Sequence, residues 1–147
     1  IIRNPYIRFA EIFIYILRGW KKIDTRLLDI DRIYRLFVEY NIQNPIDIFN
    51  QDPFVRDKIL DYDIFKHQSY FLCDTKYNIM VDYLFKFKDY DKLYAFLRKK
   101  MGINFKNIRL KRENKQFNKI KIKLTKKEKE HIYNYYKSDF VVFNYPK

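Results

Sequence analysis

Glycine is almost missing from this chain, at 2 of 147 residues. A glycine-rich phosphate loop therefore has no material, because such a loop needs several positions free to take positive φ and to approach an anion closely. Gly19 follows Arg18 inside a helical run, and Gly102 follows Lys99-Lys100-Met101, where a helix end is expected. Cysteine is scarcer still. The single Cys73 excludes an internal disulfide and a cysteine-cluster metal site, and its apolar setting, Tyr70-Phe71-Leu72-Cys73, reads as a buried thiol. The two histidines, His67 and His131, lie far apart without an acidic or cysteine partner at ligand spacing, so no metal is expected. No run approaches about 18 uninterrupted apolar residues, and no membrane span is expected. Gly-x-Ser-x-Gly and Cys–His arrangements are also lacking, which removes the familiar nucleophilic catalysts.

Positive charge and aromatic surface are plentiful instead. Lysine and arginine number 31 against 18 acidic residues, a formal charge of +13. An anionic partner follows: a nucleotide, a sulfated or acidic glycan, nucleic acid or an anionic membrane. Heavy use of Lys, Ile, Asn, Tyr and Phe, all encoded by AT-rich codons, makes part of that charge compositional. With 48% hydrophobic and 20% aromatic residues, the chain can bury a core as a single domain over 1–147. It opens in mid-strand on Ile1-Ile2 and is read as part of a longer protein. Its compartment, cytoplasm or Golgi lumen, is left to the sequence that precedes Ile1.

The first nine residues organise the rest. Ile1-Ile2 reads as the end of a buried strand, Arg3 leaves it, Asn4 is a good helix N-cap and Pro5 suits the first helical position. A strand that ends in arginine and turns into a helix suits an anion, since the helix start offers unpaired N–H groups and arginine a forked cationic donor. The helix is expected from Pro5 to about Trp20, so widely apolar that it belongs beside a sheet, with Lys21 and Lys22 closing it. A second amphipathic helix is expected over 31–40, with Ile33, Leu36, Phe37 and Tyr40 on one side. Asn44-Pro45 and Asp52-Pro53 each place a cap before a proline, predicting short helices near 46–50 and 54–60.

The clearest β pattern is 69–87. Two apolar runs, Ser69–Cys73 and Ile79–Phe85, flank Asp74-Thr75-Lys76-Tyr77-Asn78, a turn of the hairpin kind. Asp89 or Asp91 then caps a helix to Met101, burying Leu93, Phe96 and Leu97. Residues 104–123 form a basic loop with Arg109, Lys111, Arg112, Asn114, Lys115 and Lys119, and Lys119–Lys123 alternates like an edge strand. Thr125-Lys126-Lys127-Glu128 is a capping box for the last helix, in which Ile132, Tyr135 and Tyr136 bury while His131 stays exposed.

Arg3-Asn4-Pro5-x-x-Arg8, coming off a hydrophobic strand, resembles the 3′-phosphate-binding motif of sulfotransferases that use 3′-phosphoadenosine 5′-phosphosulfate (PAPS), closest to the carbohydrate-modifying branch. Later stretches follow that branch in order: Gln68-Ser69-Tyr70-Phe71-Leu72, Val81-Asp82-Tyr83-Leu84, Phe87-Lys88-Asp89-Tyr90, Met101-Gly102-Ile103, then Tyr136-x-x-Asp139-Phe140 and Phe143-Asn144-Tyr145. The resemblance implies a three-layer α/β fold of the P-loop kind, of which this chain is a mostly helical, C-terminal part with a few short strands. It implies PAPS as donor, a carbohydrate hydroxyl or amine as acceptor, and Arg3 on the 3′-phosphate of the nucleotide. Arg8 would reach the same anion or pair with Glu11, while Arg112, Asn114 and Lys115 would close over the nucleotide. His67 is the candidate base or acceptor contact.

Two departures stand out. The family's phosphate-binding serine falls on Glu11, whose carboxylate repels a phosphate, and an acidic position falls on Lys88. The phosphosulfate-binding loop has no counterpart in this sequence, so the fragment by itself is expected to be inactive. Two alternatives stand beside this reading. One is a basic nucleic-acid-binding module with stacking tyrosines and phenylalanines. The other is a catalytically degenerate homologue.

Overall fold

A computed structural model describes residues 1–19, 28–102 and 123–147. These residues are mostly helical. Extended pairing among them is confined to two isolated bridges, Ile2 with Lys86 in parallel and Cys73 with Ile79 in antiparallel sense. Contacts group the chain into two compact units, one of Ile1–Arg3 and Val81–Lys123, the other of Asn4–Met80 and Leu124–Lys147.

The larger, second unit begins with α1 (Pro5–Gly19). Asn4 caps it as its side-chain chemistry predicts, Oδ1 accepting the Tyr6 N–H at 3.0 Å, and Pro5 follows with no N–H to satisfy. Phe9, Ile12, Phe13, Ile14 and Ile16 are buried, so the apolar face is as wide as expected. Its neighbours differ from the expectation. α1 packs on α2 (Leu28–Glu39), on α7 (Lys126–Tyr135) and on the 3₁₀ turn Asp63–Phe65, so among the described residues helices rather than a sheet cover it. Phe9 sits between Phe49 at 5.5 Å and Phe65 at 5.6 Å, and Phe13 meets Phe37 at 5.3 Å.

Local chemistry sets the next three helices. α2 buries Ile33, Leu36 and Phe37, leaves Tyr40 half-buried, and is followed by Asn41 in the left-handed region at φ +51°, where asparagine substitutes for glycine. α3 (Pro45–Phe49) starts after Asn44, whose N–H donates to Asp47 Oδ2 at 2.8 Å. α4 (Pro53–Leu60) starts after Asp52, whose Oδ1 accepts from Phe54 and Val55 N–H at 3.0 and 3.2 Å. Both proline-led starts fall within a residue of the predicted positions.

The expected strand Ser69–Cys73 is instead a helix, α5 (Gln68–Leu72), held from outside as described below. Its hairpin partner reduces to the Ile79 bridge. The turn between them does form: the Asp74 carboxylate accepts from Lys76 N–H and Asn78 N–H, Asp74 N–H donates to Asn78 O, and Tyr77 takes φ +63°. A turn without a ladder is what remains when one flanking run prefers helix. Cys73 is buried, which raises its thiol pKa.

α7 starts with the expected capping box, Glu128 N–H donating to Thr125 Oγ1 at 3.2 Å and Thr125 N–H to Glu128 Oε2 at 2.7 Å. Ile132 and Tyr136 are buried and Tyr135 half-buried. His131 corrects the expectation of exposure, for it is half-buried and stacks on Phe49 at 5.2 Å. A short helix, α8 (Lys137–Val142), packs on α5.

In the first unit Ile2 N–H donates to Phe85 O at 2.9 Å and Phe87 N–H to Ile2 O at 2.8 Å, so the predicted strand end is real but one bridge long. The 3₁₀ turn Phe87–Asp89 leads into α6 (Tyr90–Met101), which Gly102 ends at φ +63°. Leu93, Phe96 and Leu97, expected to be buried, are half-buried. Tyr83 and Phe85 lean on Phe96 at 4.4 and 5.4 Å.

Candidate functional site

α5 has five residues, too few for its leading N–H groups to find partners inside the helix. A carboxylate some 70 residues away supplies them. Gln68 N–H donates to Asp139 Oδ2 at 2.8 Å and Ser69 N–H to Asp139 Oδ1 at 2.8 Å. Asp139 is 0% exposed, and a buried carboxylate is tolerable because both of its oxygens are engaged. The residue before it adds a second tie: Ser138 Oγ lies 2.8 Å from His67 Nδ1 and 3.2 Å from Ser69 Oγ.

Two tyrosines complete the surroundings of His67. The rings of Tyr135 and Tyr136 lie 5.0 and 5.3 Å from the imidazole. Tyr135 donates its hydroxyl to Leu60 O at 3.0 Å, and Tyr136 donates to Phe65 O at 2.6 Å. Burial pushes the Tyr135 hydroxyl up to about 12, helped by the charge of Asp61, and drives Tyr136 further up. Neither ionises near neutrality. Burial also lowers the His67 pKa; Asp139 pulls it back, while Arg8 and Lys66 lower it further. Burial and the two cations thus favour the neutral form of the imidazole.

Arg8, expected to reach an anion or pair with Glu11, faces inward instead. Its Nη2 donates to Ile64 O at 2.9 Å and its guanidinium lies 5.7 Å from the centre of the Tyr136 ring. Nη1 is buried and meets no acceptor at hydrogen-bonding distance; its charge is felt by the Tyr136 hydroxyl, which it holds down against burial. Arg3 belongs to the other unit and is half-buried, its guanidinium 3.9 Å from the centre of the Phe87 ring. That is a cation–π contact, which restrains the side chain. Arg112, Asn114 and Lys115 lie outside the described residues, as does the rest of the basic loop over 104–122.

Of the residues singled out from the sequence, His67 and Arg8 thus share one polar cluster. Ser69, Tyr135, Ser138 and Asp139 belong to it as well. Asp139 was visible as part of Tyr136-x-x-Asp139-Phe140, but nothing in its local sequence announces a partner near position 68. Among the described residues no group of three or more His, Cys, Asp or Glu side chains is placed to hold a metal ion, and no helix is long and apolar enough to cross a membrane. Comparison of the chain with protein-family models, with curated proteins and with solved structures finds no match.

Proposed function

We propose that the chain supplies the 3′-phosphate-binding part of a PAPS-dependent sulfotransferase of the three-layer α/β kind, acting on a carbohydrate hydroxyl or amine. In this reading Arg3 holds the 3′-phosphate of the nucleotide, and the basic loop with Arg112, Asn114 and Lys115 closes over it. Sulfuryl transfer asks for alignment and for cations over the leaving nucleotide more than for covalent chemistry by the protein. One observation carries the reading: Arg3 follows directly on the bridged Ile2 and precedes the Asn4-capped start of α1. A bridged extended residue, an arginine and a capped helix follow the local order of the motif.

The commitment of Arg8 to Ile64 O and Tyr136, and of His67 to Ser138, favours a second reading, a homologue that binds nucleotide without turnover.

Titration with 3′-phosphoadenosine 5′-phosphate while following thermal stability tests both. At one hundred times the dissociation constant, the nucleotide is expected to add about 2.7 kcal/mol. Arg3→Ala removes that gain. A wild-type protein that shows no shift overturns the reading, and tight, salt-dependent oligonucleotide binding in its place favours the nucleic-acid module. Nucleotide binding without sulfate transfer, measured on the full-length protein, selects the second reading.

A further inference from the structure

Codon bias acts on a whole chain, so charge that it alone produced would be spread evenly. It is not. The unit of Ile1–Arg3 and Val81–Lys123 has 15 basic residues against 4 acidic, a formal charge of +11, while the longer unit of Asn4–Met80 and Leu124–Lys147 has 16 against 14, a charge of +2. Nearly all of the +13 therefore belongs to 46 of the 147 residues. Charges of one sign crowded into a small unit repel one another, and a bound anion relieves that repulsion. A polymer of phosphates engages such cations in series, where one nucleotide reaches only a few.

The cations described in this unit border exposed rings. Arg98, Lys99 and Lys100 stand in the last turn of α6 and are exposed. A helix C-terminus favours cations on its own account, which explains their presence there but not what lies beside them. Lys100 Nζ is 5.8 Å from the centre of the Tyr83 ring, so the turn ends next to Tyr83. That ring is 55% exposed although Phe96 supports it at 4.4 Å. Phe85 leans on Phe96 as well, and its carbonyl accepts from Ile2 N–H; the next residue, Arg3, lies 3.9 Å from the centre of the exposed Phe87 ring. A ring propped by the protein and still wet is a platform for stacking, and a cation at its side is placed for a phosphate. The other unit also exposes rings, Tyr70 and Phe71 among them, but in a setting of nearly balanced charge.

We propose that the unit of Ile1–Arg3 and Val81–Lys123 binds single-stranded nucleic acid, with bases stacked on Tyr83 and Phe87 and phosphates held by Arg98, Lys99 and Lys100. A single strand uses both the cations and the rings, whereas a duplex covers its own base faces and an acidic glycan has no base to stack. The proposal does not rest on the sulfotransferase reading, which places its nucleotide on Arg3 and the basic loop.

Fluorescence anisotropy of the whole chain with a labelled, mixed-sequence strand of about 16 nucleotides tests this, at salt from about 50 to 200 mM. Arg98→Gln with Lys99→Gln and Lys100→Gln is expected to weaken binding at least about tenfold and to lower the salt slope by about 2, since each cation on a phosphate contributes about 0.7. Lys126→Gln with Lys127→Gln and Lys129→Gln, exposed positions of α7, removes the same charge from the other unit and is expected to leave both nearly unchanged. Tyr83→Ala is expected to weaken binding about tenfold at an unaltered salt slope, the mark of a lost stack. Equal losses from the two triple variants mean attraction by net charge alone and overturn the proposal, as does absence of binding at low salt. Unchanged affinity in both Tyr83→Ala and Phe87→Ala overturns it in favour of an acidic glycan, with heparin as the probe. A duplex that suffers the same loss on Tyr83→Ala as the single strand overturns the stack. Should Tyr83→Ala not fold, ultraviolet cross-links from a strand containing 5-bromouracil must fall within residues 81–102 rather than 28–80. None of these readouts uses 3′-phosphoadenosine 5′-phosphate, so failure of that nucleotide to bind and failure of the strand to bind are separate results.

Discussion

The two units use the same kinds of residue to different effect. In the unit of Asn4–Met80 and Leu124–Lys147, phenylalanines and isoleucines from α1, α2, α3 and α7 reach near-complete burial, with Phe9, Phe65, Ile132 and Tyr136 all at 0% exposure. In the unit of Ile1–Arg3 and Val81–Lys123, Ile2 is the one buried side chain among those described, and Tyr83 and Phe85 pack on Phe96 while half-buried or exposed. Aromatic content therefore says little about core content. What separates the units is whether several helices converge on the same apolar face, because burial of one ring needs neighbours on all sides.

The sharpest way to break this comparison is a pair of matched truncations. Phe9→Ala is expected to cost about 3–5 kcal/mol, the range for a fully enclosed ring, measured by urea denaturation. Phe96→Ala, in the same assay, is expected to cost about 1–2 kcal/mol, since much of its surface is already wet. Equal losses would mean that the units do not differ in the way their burial indicates.

Asp139→Ala is expected to match Phe9→Ala in size and to exceed Phe96→Ala. It leaves the N–H groups of Gln68 and Ser69 buried without acceptors, at about 1–3 kcal/mol for each. Asp139→Asn keeps one acceptor oxygen and should fall between wild type and alanine. A neutral alanine variant would show that α5 holds its helix without the carboxylate.

The smallest expected effect is a pH dependence confined to the second unit. The folded His67 has a lowered pKa, so as pH falls through the ordinary histidine value near 6.5 the unfolded chain takes up its proton first. Stability is full above that value and declines below it, until the folded ring titrates as well. His67→Gln should flatten this slope between about pH 7 and the lowered pKa. A slope that survives the substitution would place its origin in another group.

Much of this was legible in residue order. Asn4-Pro5, Asn44-Pro45, Asp52-Pro53 and Thr125-x-x-Glu128 all start helices where capping chemistry says they should, and Gly102 ends one. Each is a contact among residues a few positions apart, so local sequence contains both partners. Ser69–Cys73 shows the opposite case. Its apolar, aromatic run suits a strand, yet it is helical because Asp139 caps it from across the sequence. The motif position of Arg8 invites either an anion or a pairing with Glu11, while the inward carbonyl of Ile64 that holds it is 56 residues away.

The amino-acid order by itself determined the helix starts, the turn at Asp74, the width of the α1 apolar face and the excess of positive charge, because each depends on spacing along the chain or on composition. Only tertiary structure decided that helices cover α1, that α5 is a helix at all, and that His67 sits with Ser69, Ser138 and Asp139. Those outcomes depend on which distant groups arrive within about 3 Å of one another to satisfy buried donors and acceptors, and no local periodicity encodes that arrival.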